Sequence, residues 1–158
     1  MSNGESFPWK EALVPASINA VINGFIAWNG FSGKESVALT VDSISAGAHT
    51  AFGGAVMTAT ALGLILSFIN FAMERKHAEG EPIPRRESMR AALVMGLKNA
   101  FFLFGLLASS ALIWQRLFGT IEVAPLTASL VTALVAGAVS AYLFGDIRKR
   151  HRAFVAAR

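Results

Sequence analysis

The amino-acid sequence predicts an all-α integral membrane protein with four transmembrane helices in a single domain. Hydrophobic residues make up 54% of its 158 residues and charged residues only 15%, which leaves too little polar surface to cover a soluble domain of this size. A soluble helical bundle is the competing interpretation. The charges cluster at the two ends and in the middle, however, and leave four runs of roughly 19 to 25 residues, each long enough to cross a bilayer. No segment shows the alternating polarity of a barrel strand.

The first predicted span covers residues 12–31 and follows a short polar N-terminal segment. A cleaved signal peptide is the alternative, but the run contains Pro15, Asn19 and Asn23 and is not followed by a clear small-x-small cleavage site, which favours a retained span. The loop after it contains V-A-L-T-V-D-S-I, which could form a short interfacial element but is too short to cross the membrane. The second span covers residues 49–73.

The third and fourth predicted spans cover residues 91–114 and 126–144. Pro82 and Pro84 lie in the strongly basic segment between spans two and three, where they interrupt any continuous helix. Residues 145–158 follow the fourth span and are predicted to form a basic cytoplasmic tail.

Lysine and arginine are distributed unequally among the segments outside the spans. The N-terminal segment, the second loop and the tail hold eleven of them, and the first and third loops hold two. Because cytoplasmic segments carry the excess of basic residues, both termini are predicted on the cytoplasmic side of the membrane. In a bacterium, this would be the inner membrane. This asymmetry explains the basic composition without a nucleic-acid partner. The basic segments could also recognise acidic lipid headgroups, although topology alone would place them there.

Two segments near the starts of the first and third spans resemble each other. Residues 12–20 read A-L-V-P-A-S-I-N-A and residues 92–100 read A-L-V-M-G-L-K-N-A, so that Asn19 stands opposite Asn99. Chance could produce this match because Ala, Leu and Val are common in any span. If the repeat is real, the fold is two hairpins related by an axis along the membrane normal, as in transporters built from parallel repeats.

Polar side chains within the spans are predicted to form one layer in the inner leaflet, because at 1.5 Å per residue most of them lie about 10 Å from the cytoplasmic ends and Asn23 lies near the midplane. The layer consists of Asn19, Asn23, Ser67, Lys98 and Asn99. Such groups can face a water-filled cavity on a solute path. The asparagines could instead form interhelical hydrogen bonds that only fix packing, and the Lys98 ammonium could snorkel to the interface.

Small residues recur at every fourth position of the fourth span and predict a helix-packing face. They are Ser129, Ala133, Gly137, Ala141 and Gly145. In lipid, rows of this kind let helix backbones approach closely. The pattern leaves open whether the row contacts another helix of the same chain or a second protomer.

No arrangement of residues suggests catalysis or metal binding. The chain has no cysteine, its three histidines lack metal-ligand spacing, and no acid lies within a span. We therefore expect no enzymatic activity, cofactor or metal. Two functions remain: a homo-oligomeric transporter or channel for a small solute, with Lys98 favouring an anionic one, or a non-catalytic accessory subunit of a larger membrane complex.

Overall fold

The computed structural model describes residues 9–41, 50–77 and 84–156. In chain order its elements are α1 (Trp9–Phe31), β1 (Val37–Ala38), α2 (Ala51–His77), α3 (Arg85–Phe118), β2 (Glu122–Val123) and α4 (Pro125–Ala156). Three helices are long and apolar enough to cross a membrane, over Ala51–Phe71, Arg85–Phe118 and Pro125–Arg150. The predicted helical membrane protein is confirmed to this extent.

The remaining helix, α1, is the shortest of the four and is not among the helices that are long and apolar enough to cross a membrane. Lys10 and Glu11 lie in its first turn, and Pro15, Asn19 and Asn23 interrupt its apolar residues. Its 23 residues still measure about 34 Å at 1.5 Å per residue, against a hydrocarbon core of about 30 Å. Length therefore permits α1 to cross a bilayer, while its polar residues distinguish it from the other three helices.

The helices continue beyond the predicted spans. α2 extends to His77, α3 begins directly after Pro84, and α4 continues to Ala156, so most of the predicted basic tail is helical. Hydropathy marks where contact with lipid ends, whereas helical hydrogen bonding continues into water where no proline interrupts it. His49, the predicted first residue of span two, lies outside the described residues.

The helix backbones come close in three pairs: α1 with α4, α2 with α3, and α2 with α4. The order across the molecule is therefore α1, α4, α2, α3, with α4 and α2 in the middle. At one end Arg148 forms an ion pair with Glu11 and joins the end of α4 to the start of α1. At the other end β1 pairs with β2 in an antiparallel ladder, with Val37 opposite Val123.

The two ends of the molecule differ in charge. We call the end with the Arg148–Glu11 ion pair the basic end and the end with the β1–β2 pair the ladder end. Among the residues whose side chains the structure describes, the basic end holds Lys10, Arg85, Arg86, Arg90, Arg148, Lys149, Arg150 and Arg152. Lys34 and Arg116 lie toward the ladder end.

Large apolar side chains cover the outside of the molecule, and small ones fill much of its inside. Val21, Phe101 and Leu134 each expose more than 70% of their area, whereas Ala59 and Ala136 are fully buried. This distribution suits a lipid environment, in which close backbone packing and not the burial of large apolar side chains holds helices together.

Candidate functional site

Asn99 and Ser67 form a buried polar pair between α3 and α2. The Nδ2 atom of Asn99 donates a hydrogen bond to Oγ of Ser67 over 3.0 Å, and the two side chains are 2% and 0% exposed. Small residues nearby let the two backbones approach, because a Cβ atom on Gly63 would lie only 3.0 Å from Cα of Ala100. The pair is therefore enclosed between two closely packed helices.

Asn19 and Ser140 form a second pair between α1 and α4. The Nδ2 atom of Asn19 donates to Oγ of Ser140 over 3.1 Å and to the carbonyl oxygen of Pro15 over 2.9 Å. Here too a glycine lies beside the pair, since a Cβ atom on Gly137 would be 3.2 Å from Cβ of Ala20. Both asparagines of the two similar segments thus donate to a serine of the neighbouring central helix.

The predicted polar layer contains Ser67 but not Ser140, although α2 and α4 share a sequence pattern that indicates similar packing surfaces. The pattern T-A-x-x-x-G occurs once in α2, from Thr58 to Gly63, and once in α4, from Thr132 to Gly137. In α2, Gly63 lies next to Ala100, which follows Asn99 in α3. In α4, Gly137 lies next to Ala20, which follows Asn19 in α1. Comparing spans two and four at this spacing would have indicated that both present the same kind of surface.

The predicted small-residue row of α4 contacts α1 of the same chain over part of its length. A Cβ atom on Gly24 would lie 2.9 Å from Cβ of Ala133, and Gly137 lies against Ala20. Ser129 is 4% exposed and donates a hydrogen bond to its own helix. The last two members of the row, Ala141 and Gly145, are half-buried. The row therefore supports close packing within one chain.

Asn23 lines a cavity of about 270 Å³ between α1, α2 and α4. The other lining residues are Ile26, Ala27, Gly30, Phe31, Gly54, Thr58 and Thr132. The Nδ2 atom of Asn23 donates to the carbonyl oxygen of Asn19 over 2.9 Å, and Oγ1 of Thr132 donates to its own helix over 3.1 Å. The side-chain oxygens of Asn23 and Thr132 can still accept hydrogen bonds, and no charged side chain of the described residues lines the cavity.

The cavity lies in the half of the molecule nearer the ladder end. Along α1 it extends from Asn23 to Phe31, the last residue of that helix. On its basic-end side, α1 and α4 are held together by the hydrogen bond from Asn19 to Ser140 and by the contact of Ala20 with Gly137. α1 and α4 are therefore in close contact from Asn19 to Gly24, and the cavity lies beside this contact on the side toward the ladder end.

Lys98 lies on the exposed face of α3, apart from the polar pairs. The next residue along the helix, Asn99, faces α2, whereas the Lys98 side chain is exposed. The predicted layer is therefore divided in the structure. Asn19 and Asn99 each form a pair with a serine, Ser67 being one of the two; Asn23 lines the cavity, and Lys98 faces outward.

Within residues 9–41, 50–77 and 84–156, no group of three or more histidine, aspartate or glutamate side chains could hold a metal ion. Comparisons of the chain with protein-family models, with curated proteins and with solved structures found no match. Its function must therefore be inferred from the geometry described above.

Proposed function

We propose that this protein is a small transporter or channel of the bacterial inner membrane, which passes a small solute and works as a homo-oligomer. The observation that carries the proposal is the cavity beside Asn23, Thr58 and Thr132. Polar side chains from three helices meet there, and two of these helices, α2 and α4, are otherwise long and apolar enough to cross a membrane. Polar groups facing a cavity at membrane depth are typical of solute paths.

In this proposal all four helices cross the membrane and the basic end faces the cytoplasm. α1 serves as the fourth span because it packs along α4 from Glu11, near the basic end, to Gly24, well beyond the middle of the helix. The excess of arginine and lysine at the basic end supports this orientation. The cavity then lies in the outer half of the membrane.

The proposal includes the two-hairpin repeat. In such a repeat α1 corresponds to α3, and α2 corresponds to α4. The α1–α4 contact then corresponds to the α3–α2 contact, and the α2–α4 contact corresponds to itself. The hydrogen bonds of Asn19 and Asn99 follow the same correspondence, and so does the antiparallel pair of β1 and β2. These correspondences support an axis along the membrane normal that passes between α2 and α4.

A homo-oligomer could form a larger solute path than a single chain does. One protomer forms a cavity of only about 270 Å³, lined in part by the exposed residues Ile26 and Gly30. Lys98 lies on the exposed face of α3, where a second copy could enclose it. An ammonium group between protomers would attract an anionic solute, which is the class that we propose for an oligomeric path.

Cysteine labelling tests whether the cavity is wet, and the cysteine-free chain suits this experiment. Thr58→Cys would place a thiol in the cavity, and Met57→Cys would place one on the neighbouring exposed face, where Met57 is 68% exposed. We expect a membrane-impermeant maleimide added from outside to label position 58 and to spare position 57, because a thiol in lipid does not ionise. Protection of both positions would contradict a water-filled cavity.

A variant that fills the cavity tests whether solute passes through it. A Cβ atom on Gly54 would meet no other atom within 4 Å, so Gly54→Leu should occupy the cavity without displacing the helices. We expect it to abolish flux of glycerol or chloride into proteoliposomes, whichever probe the wild type carries. Gly105→Leu is the control, because this exposed site in α3 is equally open. Equal flux in both variants would exclude this path.

The labelling and flux experiments together also test the alternative function, a non-catalytic accessory subunit of a larger membrane complex. If the cavity residues are protected and neither probe is carried, the accessory-subunit hypothesis becomes the better one. The next step would then be to identify the larger complex by cross-linking in the membrane.

A further inference from the structure

An apolar groove with arginines at one end runs between α2 and α3 near the basic end. Its wider part has a volume of about 650 Å³ and is lined by Phe68, Arg85, Arg86, Met89, Arg90 and Leu93. A narrower part of about 270 Å³ is lined by Leu64, Ile65, Phe68, Ile69, Ala92 and Leu93. Because Phe68 and Leu93 line both parts, the two form one continuous groove.

The groove changes from charged to apolar along its length. Arg85, Arg86 and Arg90 lie in the first two turns of α3, and all three side chains are exposed. Leu93 follows about 12 Å farther along α3 from Arg85, at 1.5 Å per residue. The described residues that line the narrower part beyond it are all apolar. Any ligand that fills the whole groove must therefore have an anionic end and an apolar chain.

From this geometry we infer that the groove is a binding site for an anionic phospholipid of the leaflet at the basic end. The three guanidinium groups would bind the phosphate, for which arginine offers paired N–H donors, and an acyl chain would lie against Phe68 and Leu93. Among the side chains that the structure describes, no carboxylate lines the groove to repel the phosphate. Basic pockets between transmembrane helices are known to hold acidic headgroups.

The apolar part of the groove distinguishes a lipid from free phosphate. A phosphate ion would use only the arginines, whereas a phospholipid also needs the space beside Leu93. The site involves neither the cavity at Asn23 nor the face of Lys98, so the inference is independent of the proposed transport function.

Native mass spectrometry of the full chain, purified in detergent with equal amounts of phosphatidylglycerol and phosphatidylcholine, tests the site. We expect the wild type to retain phosphatidylglycerol in preference. The triple variant R85Q/R86Q/R90Q should bind it more weakly by about fivefold for each arginine removed. The control triple variant K10Q/K149Q/R152Q loses the same charge at the same end but outside the groove, and it should keep the preference.

Leu93→Trp provides a second test without a change of charge. The larger ring should fill the groove and reduce retention of phosphatidylglycerol, while binding of inorganic phosphate at the arginines is unchanged. Circular dichroism of each variant shows whether it is folded. Equal loss in both triple variants, or unchanged lipid retention in folded Leu93→Trp, would overturn the inference.

Discussion

Asn99 donates a hydrogen bond to Ser67 across the α2–α3 interface, and both side chains are almost completely buried. In lipid the alternative to this bond is an amide with no partner, because the hydrocarbon offers no donor or acceptor. The pair therefore holds the two helices in one register. The similar pair of Asn19 and Ser140 does the same for α1 and α4.

A double-mutant cycle on the first pair should reveal a favourable coupling. We expect Ser67→Ala and Asn99→Leu each to lower the free energy of unfolding, and their combination to cost less than the sum of the two. The difference should be about 0.6 to 1.7 kcal/mol, the range of interhelical hydrogen bonds in membranes. Unfolding by SDS in mixed micelles measures each value.

Ser110→Ala is the control for this cycle, because Ser110 is exposed and its hydroxyl donates to the carbonyl oxygen of Leu106 in its own helix. It should change stability little. A cycle with Asn99→Leu that shows no coupling to Ser67→Ala would mean that the hydrogen bond does not stabilise the α2–α3 contact.

Adding a methyl group at Gly63 should destabilise the protein. In Gly63→Ala the new Cβ atom would lie within 3.1 Å of backbone atoms of Ala100, so the helices must separate. Overpacking of this kind costs about 1 to 3 kcal/mol. Gly105→Ala is the matched control in open space and should gain about 0.5 to 1 kcal/mol from reduced backbone freedom in the unfolded chain. The same SDS titration compares them, and equal effects would refute close packing at Gly63.

Replacing Lys98 separates a role in transport from simple exposure to lipid. Lys98→Leu should insert more easily, by up to about 3 kcal/mol at the centre of a span and less where the ammonium reaches the interface. If Lys98 lines an oligomeric path, chloride flux is lost in Lys98→Leu and retained in Lys98→Arg, while assembly measured by cross-linking is unchanged. Normal flux in Lys98→Leu would exclude Lys98 from the path.

The sequence predicted the helices because their apolar runs are long and the charges between them are few. It could not predict where the helices end, since the helical backbone of α4 continues to Ala156 through charged residues that leave the lipid but keep their hydrogen bonds. Pro84 is the exception, because its missing N–H and restricted backbone mark the start of α3 at Arg85 directly.

The polar residues were found from the sequence, but their division into separate pairs was not. Depth along a helix can be counted from its first residue, whereas the direction of a side chain depends on which helix lies beside it. Lys98 and Asn99 have nearly the same depth, yet one is exposed and the other buried. The pattern that α2 and α4 share around Gly63 and Gly137 is the feature that could have indicated these neighbours.

The order of the helices across the molecule also has a consequence for how the chain is made. α1 leaves the ribosome before α2 and α3, but the helix that it packs against, α4, is synthesised after both of them. Before α4 is made, the amide of Asn19 cannot bind Ser140. In the same way, Ser67 cannot accept the hydrogen bond from Asn99 before α3 is made. Tertiary packing of α1 therefore has to wait until α4 is made, and a nascent chain that stops before α4 leaves Ala20 and Gly24 of α1 without the helix that covers them.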